Sequence, residues 1–321
     1  MSRSHVDHKE ISIFADARIN LPRDKANEYR AQAMRLREKL ENYLAEHPDF
    51  TLKRMILSGS LAKGTALRSL NDIDVACYIS GAEAPHEIQT LLDYLAERLR
   101  KAFPNFSPDQ VKPQTYSVCV SFRGSGLDVD IVPILYDGDP QWYGNLISQD
   151  DGSFLKTSIP LHLDFAKKRK QAQPTDFAQV VRLAKAWSKK VKGERTDFRL
   201  KSFMIELIFA HLSDTGHGFS DYPEALQHFF TFIAKTNLRE RIIFTDCYKA
   251  SDVGTFTEPI QIIDPVNSKN NVSCLYTAAQ AELIVEAAME AGDAIDAALA
   301  APTKAETVYY WQKVFGSSFQ G

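Results

Sequence analysis

The sequence predicts an α+β fold, with a strand-bearing lobe over residues 1–158 and a helical lobe over residues 159–321. Short runs rich in Val and Ile, typical of strands, lie in the first half of the chain. Beyond Pro160, apolar residues recur at three- and four-residue spacing, which indicates helices. A turn-rich segment from Tyr136 to Pro160 separates the two patterns and is the predicted boundary.

The first lobe is predicted to begin with a long amphipathic helix. Asp24 is a suitable N-cap, and His47-Pro48 should end the helix because the residue before a proline avoids helical geometry. A second helix is predicted from His86 to Phe103. Strands are predicted over residues 72–79, 116–122 and 127–135, and Gly124-Ser125-Gly126 should join the last two into a hairpin beside the first.

Two aspartates occupy alternate positions of the first predicted strand. Asp72 and Asp74 therefore point to one face of the sheet. Neighbouring carboxylates repel each other in a partly dry site, so this arrangement favours a bound cation, and Mg²⁺ prefers carboxylates together with substrate phosphates. Asp128 and Asp130 on the hairpin can supply a third carboxylate. Each aspartate taken alone could equally bound a strand or face solvent.

The second lobe is predicted to be helical, apart from one short strand over Ile260–Ile263 that Asp264-Pro265 would stop. Its helices are predicted over residues 176–191, 203–212, 226–234, 277–300 and 306–315. The segment over 203–212 is almost entirely apolar, so we expect it at the centre of this lobe.

The composition is that of a globular protein, with 321 residues of which 44% are hydrophobic. A formal net charge of −3 argues against indiscriminate nucleic-acid binding, although a local basic patch remains compatible with it. Four widely separated cysteines indicate a reducing compartment. The chain shows neither an apolar N-terminal region nor an apolar run of membrane-spanning length, so we expect a cytoplasmic protein without membrane association.

Three segments together resemble the metal-binding motif of the polymerase-beta-like nucleotidyltransferases. They are Gly59-Ser60, Asp72-Ile73-Asp74 and Asp130-Ile131-Val132-Pro133. The resemblance implies a nucleotidyltransferase lobe with a mixed sheet, packed against a helical lobe. It also implies that Asp72, Asp74 and Asp130 hold two Mg²⁺ ions, with Mn²⁺ as an alternative, and that Gly59 and Ser60 bind the donor phosphates. Asp128 is the reserve candidate for the third ligand.

Two motifs of the helical lobe resemble those of nucleotidyltransferases that make oligonucleotides: Arg182-Leu-Ala-Lys185-Ala-Trp187 and Lys201-Ser202-Phe203. The resemblance implies that Lys185 and Ser202 hold the triphosphate of the incoming nucleotide. Without it, Lys185 would be an ordinary solvated lysine and Ser202 a simple N-cap. Ile262-Ile263-Asp264-Pro265-Val266-Asn267 resembles a segment near the active site of 2′-5′-oligoadenylate synthases, and an ordinary Asp-Pro turn is the alternative.

Matches spread over roughly residues 20–316 resemble the bacterial cyclic-GMP-AMP-synthase-like nucleotidyltransferases, the CD-NTases. This resemblance implies an enzyme that condenses nucleoside triphosphates, ATP favoured, into a cyclic di- or trinucleotide second messenger with release of pyrophosphate. Cyclic tri-AMP is the favoured product, and antiphage defence the expected setting. Implied partners are a HORMA-domain activator with a AAA+ ATPase, a nucleic-acid activator, and an effector that the product activates.

Three alternatives remain open at this point. A linear 2′-5′ oligoadenylate synthase would share every motif, and a protein-modifying nucleotidyltransferase would share the metal-binding motif. The third is a nucleotide sensor without turnover. The three converging carboxylates count against a sensor, because a protein that only binds nucleotides does not need them.

Overall fold

The computed structural model describes residues 5–46, 51–70, 72–80, 88–147 and 153–321. The chain divides into two compact units. One is the continuous segment Leu21–Asp164, and the other combines Met1–Asn20 with Phe165–Gly321. We call them the sheet unit and the helical unit.

Ten α-helices and seven strands are assigned within the described residues. The helices are α1 (His8–Phe14), α2 (Arg23–Glu46), α3 (Gly59–Lys63), α4 (Ile88–Ala102), α5 (Ile159–Ala172), α6 (Asp176–Glu194), α7 (Ser202–Asp214), α8 (Tyr222–Thr236), α9 (Ala278–Ala300) and α10 (Lys304–Phe315). The strands are β1 (Thr51–Leu57), β2 (Asp72–Ser80), β3 (Val111–Pro113), β4 (Val118–Phe122), β5 (Leu127–Tyr136), β6 (Gly144–Ile147) and β7 (Phe154–Thr157).

A mixed seven-stranded sheet forms the centre of the sheet unit, with the strand order β1-β2-β5-β4-β3 and with β6 and β7 continuing from β5. Strands β4 and β5 are antiparallel and form the predicted hairpin. Strands β2 and β5 are parallel, so the hairpin lies beside the strand that carries Asp72 and Asp74, as the sequence predicts. Strand β2 is buried almost without interruption, which is expected of a strand covered on both faces.

The two faces of the sheet are covered by different kinds of side chain. Leucines of α2 and α4, among them Leu40 and Leu95, pack on one face against strand residues such as Ile131. On the other face, the fully buried Tyr78 ring contacts Trp142 edge-on, with 5.5 Å between ring centroids. The Tyr78 hydroxyl accepts the backbone N–H of Ile159 at 3.0 Å. The first residue of α5 is therefore held by the sheet.

The helical unit has an aromatic core centred on α6. Trp187 is 1% exposed and contacts Phe198 and Phe230 edge-on, with centroid separations of 5.9 and 4.8 Å. Helix α7 is buried over most of its length, as predicted for the apolar segment 203–212. None of the helices in the described part of the chain is both long and apolar enough to cross a membrane.

The N-terminal segment belongs to the helical unit, which differs from the predicted lobes 1–158 and 159–321. The N-terminal segment joins the helical unit because its aromatic rings pack against rings of that unit. His8 lies 3.9 Å from Tyr222 between ring centroids, and Phe14 lies 4.9 Å from Phe319. The sequence shows no apolar periodicity long enough to reveal α1, a helix of 7 residues.

Other predicted elements are found with small shifts at their ends. The predicted helix starts and stops at His86 and at His47-Pro48 lie outside the described residues. The predicted strand over Ile260–Ile263 is wrong. Among the described residues, this segment forms only isolated bridges, from Ile262 to Ile242 and from Ile263 to Asn271. The buried side chains of Asn271 and Ser273 hydrogen-bond the backbone of this segment in place of a neighbouring strand.

A buried arginine links α5 to the rest of the helical unit. The Arg169 side chain is 4% exposed, and its guanidinium donates to Asp246 at 2.9 and 3.0 Å and to Asp214 at 2.6 Å. Burial alone would raise the pKa of Asp246, but the hydrogen bond and charge of Arg169 outweigh it and lower this pKa below its ordinary value.

We predict that Arg169→Met lowers the free energy of unfolding at neutral pH by about 1–3 kcal/mol. The loss is smaller than for a fully buried ion pair, because solvent screens the half-exposed carboxylates of Asp214 and Asp246. A depressed folded-state pKa gives stability that is present above the unfolded pKa and lost as the pH falls through the folded one. The difference between wild type and variant should therefore shrink from about pH 5 to about pH 3 in denaturant titrations.

Arg195→Met is the matched control, since Arg195 pairs with the well-exposed Glu290. It should cost less stability than Arg169→Met. A difference between wild type and Arg169→Met that stays constant across this pH range would contradict the assignment.

Candidate active site

The register of β2 on β5 brings four aspartates together at one end of the two strands. Asp72 lies beside Asp128, and Asp74 beside Asp130. Neighbouring strands are about 4.8 Å apart, so each pair of carboxylates starts from adjacent backbone positions. Asp72 is exposed, whereas the other three are partly buried. Both candidates for the third carboxylate, Asp130 and Asp128, are thus placed beside the Asp72/Asp74 pair.

Asp130 is the carboxylate most affected by its surroundings. Burial raises its pKa, and the negative charges of Asp72 and Asp128 raise it further, while the Cys119 thiol opposes the rise. One carboxylate oxygen, Oδ1, is buried without a hydrogen-bond partner. A buried acceptor without a donor, in a field of negative charge, is suited to a cation.

No three His, Cys, Asp or Glu side chains within the described ranges already form a group that could hold a metal ion. The donor set still fits Mg²⁺, because all four side chains offer carboxylate oxygens and Asp130 Oδ1 has no other partner. Mg²⁺ usually retains water and takes further oxygens from substrate phosphates, so a protein need not supply its whole shell. The assignment of Asp72, Asp74 and Asp130 as metal ligands stays a prediction.

The turn that precedes β2 in the sequence approaches Asp74 closely. The backbone N–H of Ser58 donates to the Asp74 carbonyl at 2.8 Å. Gly59 has φ of +61°, and a Cβ atom there would lie 1.8 Å from Asp74 Oδ2. Only glycine fits this position, because both the backbone conformation and the space exclude a side chain. Ser60, the next residue, is partly exposed in the short helix α3.

The helical unit carries the other two predicted residues. Lys185 is partly exposed on α6. Ser202 is exposed and is the first residue of α7. The N-cap of α7 is Lys201, whose side chain has no acceptor atom to cap the first turn. The structure thus gathers Asp72, Asp74, Asp130, Gly59 and Ser60 in the sheet unit and holds Lys185 and Ser202 in the helical unit.

Cys119 is a site residue that the sequence reasoning missed. It lies directly opposite Asp130 in the hairpin, and its thiol also contacts the Ser121 hydroxyl at 3.7 Å. The signal was present, because the short connection pairs Phe122 with Leu127, and this register places Cys119 opposite Asp130. Asp264, by contrast, accepts the Val266 N–H at 2.8 Å, which is the geometry of the Asp-Pro turn considered as its alternative.

Comparison with known proteins identifies relatives over the whole chain. No family model matches it. It is 69% identical over 321 residues to the cyclic AMP-AMP-AMP synthase of Escherichia coli strain MS 115-1, with all of both chains covered. It is 36% identical over 310 residues to the CBASS oligonucleotide cyclase CdnC of Escherichia coli strain KTE188, with 94% of each covered.

Solved structures agree with this relationship. The structure of E. coli MS115-1 CdnC with ATP matches with a TM-score of 0.95 and 69% identity, covering 99% of this chain and 100% of that one. The di-nucleotide cyclase DncV of Vibrio cholerae, at 12% identity and a TM-score of 0.71 over 99% of this chain and 98% of its own, shows the fold alone. These matches confirm the α+β nucleotidyltransferase fold and the predicted resemblance. The protein belongs to the CdnC family of CBASS oligonucleotide cyclases, which are nucleotidyltransferases of the CD-NTase type.

Proposed function

We propose that this protein condenses three molecules of ATP into cyclic tri-AMP, with release of pyrophosphate, as part of antiphage defence. The observation that carries the proposal is the 69% identity, over the full length of both chains, to a cyclic AMP-AMP-AMP synthase. The similar structure of a CdnC with ATP supports ATP as the substrate.

In this proposal Asp72, Asp74 and Asp130 hold two Mg²⁺ ions, with Mn²⁺ as an alternative. When bound, the ions would favour ionisation of the acceptor ribose hydroxyl and offset the charge that builds on the leaving pyrophosphate. The protein's own contribution is to orient the reactants. The close approach of Gly59 to Asp74 supports a path for the donor phosphates beside the carboxylates, within reach of Ser60 and the backbone N–H groups near Gly59.

Lys185 and Ser202 are proposed to bind the triphosphate from the helical unit. Lys185 would supply a point charge. Ser202 would supply its hydroxyl, together with the amide dipoles at the start of α7, which favour anions. The exposure of Ser202 supports this role, because its side chain is accessible to a ligand.

Partners are proposed on the same basis. A CdnC from E. coli MS115-1 has been solved in complex with a HORMA protein, and that structure matches this chain with a TM-score of 0.94 and 68% identity. We propose a HORMA-domain protein as the activator, with a AAA+ ATPase as its regulator, nucleic acid as a further activator, and an effector that responds to the product. Cytoplasmic ATP would be the substrate source, so we place the protein in the cytoplasm.

We predict that wild-type protein incubated with Mg²⁺ and α-labelled ATP yields a phosphatase-resistant product with the mass of cyclic tri-AMP. The variant Asp72→Asn/Asp74→Asn should yield none, because it lacks the carboxylates proposed to organise the reaction. Its melting temperature should equal or exceed that of wild type, since like-charge repulsion is relieved. Chromatography, mass spectrometry and thermal unfolding measure these outcomes.

The product assay also tests the alternatives. A phosphatase-sensitive linear product would indicate an oligoadenylate synthase, and label on a protein would indicate a protein-modifying enzyme. Absence of product with ATP alone leads to a repeat with a HORMA partner and with nucleic acid. If every mixture is silent, the proposal fails. A large loss of melting temperature in the double variant would mean that these aspartates serve the fold.

A second prediction concerns Gly59. Gly59→Ala should lower turnover by about 100-fold, because the added methyl group displaces the Asp74 carboxylate. Gly126→Ala is the matched control, since Gly126 has φ of +65° and open space where the methyl group would lie. Both variants should lose about 1–2 kcal/mol of stability from the positive φ, with a further loss in Gly59→Ala from the overlap with Asp74, and only Gly59→Ala should lose activity. Equal activities would contradict the role of this close approach.

A further inference from the structure

The segment Ile260–Tyr276 is held together by buried polar side chains. Asn271 is 2% exposed, and its Oδ1 accepts the backbone N–H groups of Ile262 and Ser273, each at 3.1 Å. Its Nδ2 donates to the Ile260 carbonyl at 2.9 Å. The fully buried Ser273 hydroxyl lies 2.8 Å from the same carbonyl. A satisfied buried network of this kind gives the backbone one arrangement.

The segment ends on Tyr276, which contacts the residue before α7. The Tyr276 N–H donates to the Ser273 carbonyl at 3.0 Å, so the ring is placed by the buried network. The side chain is 3% exposed, and its hydroxyl accepts the backbone N–H of Lys201 at 2.9 Å. The Lys201 Nζ reaches back to the Val272 carbonyl at 3.4 Å. Lys201 is therefore held to this segment at both its backbone and its side chain.

These contacts fix the point at which the chain enters α7. Lys201 is the N-cap residue, with φ of −62° and ψ of 136°, and Ser202 follows as the first helical residue. The peptide plane that carries the Lys201 N–H sets the direction from which the backbone reaches Ser202, and the Tyr276 hydroxyl holds that plane. A misdirected first turn would carry the Ser202 hydroxyl and the neighbouring amides away from a bound phosphate.

We propose that Ile260–Tyr276 is a positioning element for the first turn of α7, and that Tyr276 is a positioning residue for the triphosphate of ATP. The inference rests on the proposed function, in which Ser202 contacts that triphosphate. It gives the Asp-Pro-Val-Asn segment a role as a support for the nucleotide site, exerted through Lys201, with no contact to the nucleotide required.

The test compares Tyr276→Phe with wild type in binding of a non-hydrolysable ATP analogue in the presence of Mg²⁺, by calorimetric titration of the full chain. Phenylalanine keeps the ring, including its stacking position under Arg199, and removes only the hydroxyl. The dissociation constant should rise about fivefold, the equivalent of one hydrogen bond.

Tyr78→Phe is a close control. The Tyr78 hydroxyl is also buried and accepts the backbone N–H at the start of a helix, at 3.0 Å from Ile159, in the sheet unit. Both variants should lose a few degrees of melting temperature. Only Tyr276→Phe should bind the analogue more weakly, because a merely structural hydroxyl would lower stability without changing affinity.

A double-mutant cycle with Ser202→Ala separates the possible outcomes. If Tyr276 acts through the first turn of α7, the two losses of affinity should be less than additive in the double variant, because part of the Tyr276→Phe effect is already lost with the Ser202 hydroxyl. If Tyr276→Phe binds as wild type does while Ser202→Ala binds weakly, the positioning role is overturned and the proposed function stands. If Ser202→Ala binds as tightly as wild type, both the assignment of Ser202 and the positioning role fail. If wild type does not bind the analogue, the titration is repeated with a HORMA partner and with nucleic acid, and the proposed function fails if binding is still absent.

Discussion

The parallel pairing of β2 with β5 is the constraint on which the candidate site depends. Its hydrogen-bond register fixes Asp72 beside Asp128 and Asp74 beside Asp130, whatever the preference of the side chains. The leucines that α2 and α4 pack on the sheet supply the stability that holds these like charges together. Burial raises the pKa of Asp130, and the negative charges of Asp72 and Asp128 raise it further. The fold therefore holds a fixed array of carboxylate oxygens at a local cost in stability.

The residues around these carboxylates also lie in close contact with them. Gly59 lets a turn lie against the Asp74 carboxylate, and the hairpin sets the Cys119 thiol against Asp130. In the helical unit, the first turn of α7 has no side-chain cap, and the hydroxyl of Tyr276 accepts the backbone N–H of Lys201 just before that turn. The backbone near Asp74 thus depends on the absence of a side chain at Gly59, and the backbone before α7 depends on the hydroxyl of Tyr276.

Much of the fold could be predicted from the sequence because its signals are local. Apolar alternation in β2 and β5, together with the glycine-containing hairpin connection, predicts the sheet and its acidic strands. Apolar residues at helical spacing predict the helices of the second half of the chain. The short α1 was missed because its contacts, such as Phe14 with Phe319, join the two ends of the chain. The segment over Ile260–Ile263 has strand-like residues, but buried Asn271 and Ser273 bind its backbone.

The candidate site was predictable in part for the same reason. Asp72, Asp74 and Asp130 belong to motifs that can be read along the chain, whereas the link from Tyr276 to Lys201 joins residues that are 75 positions apart. Nothing in the local sequence of Tyr276 distinguishes it from a core aromatic residue. The partner of the Tyr276 hydroxyl is a backbone N–H, which every residue except proline carries, so the residue type at position 201 does not reveal the contact.

The discontinuous make-up of the helical unit has a consequence for synthesis. Leu21–Asp164 is one uninterrupted stretch, so the sheet unit can complete its core while the rest of the chain is still being translated. Helix α1 precedes the sheet unit in the chain, whereas its aromatic partners Phe315 and Phe319 follow it. Helix α1 therefore cannot make these contacts until the sheet unit and most of the helical unit have been translated.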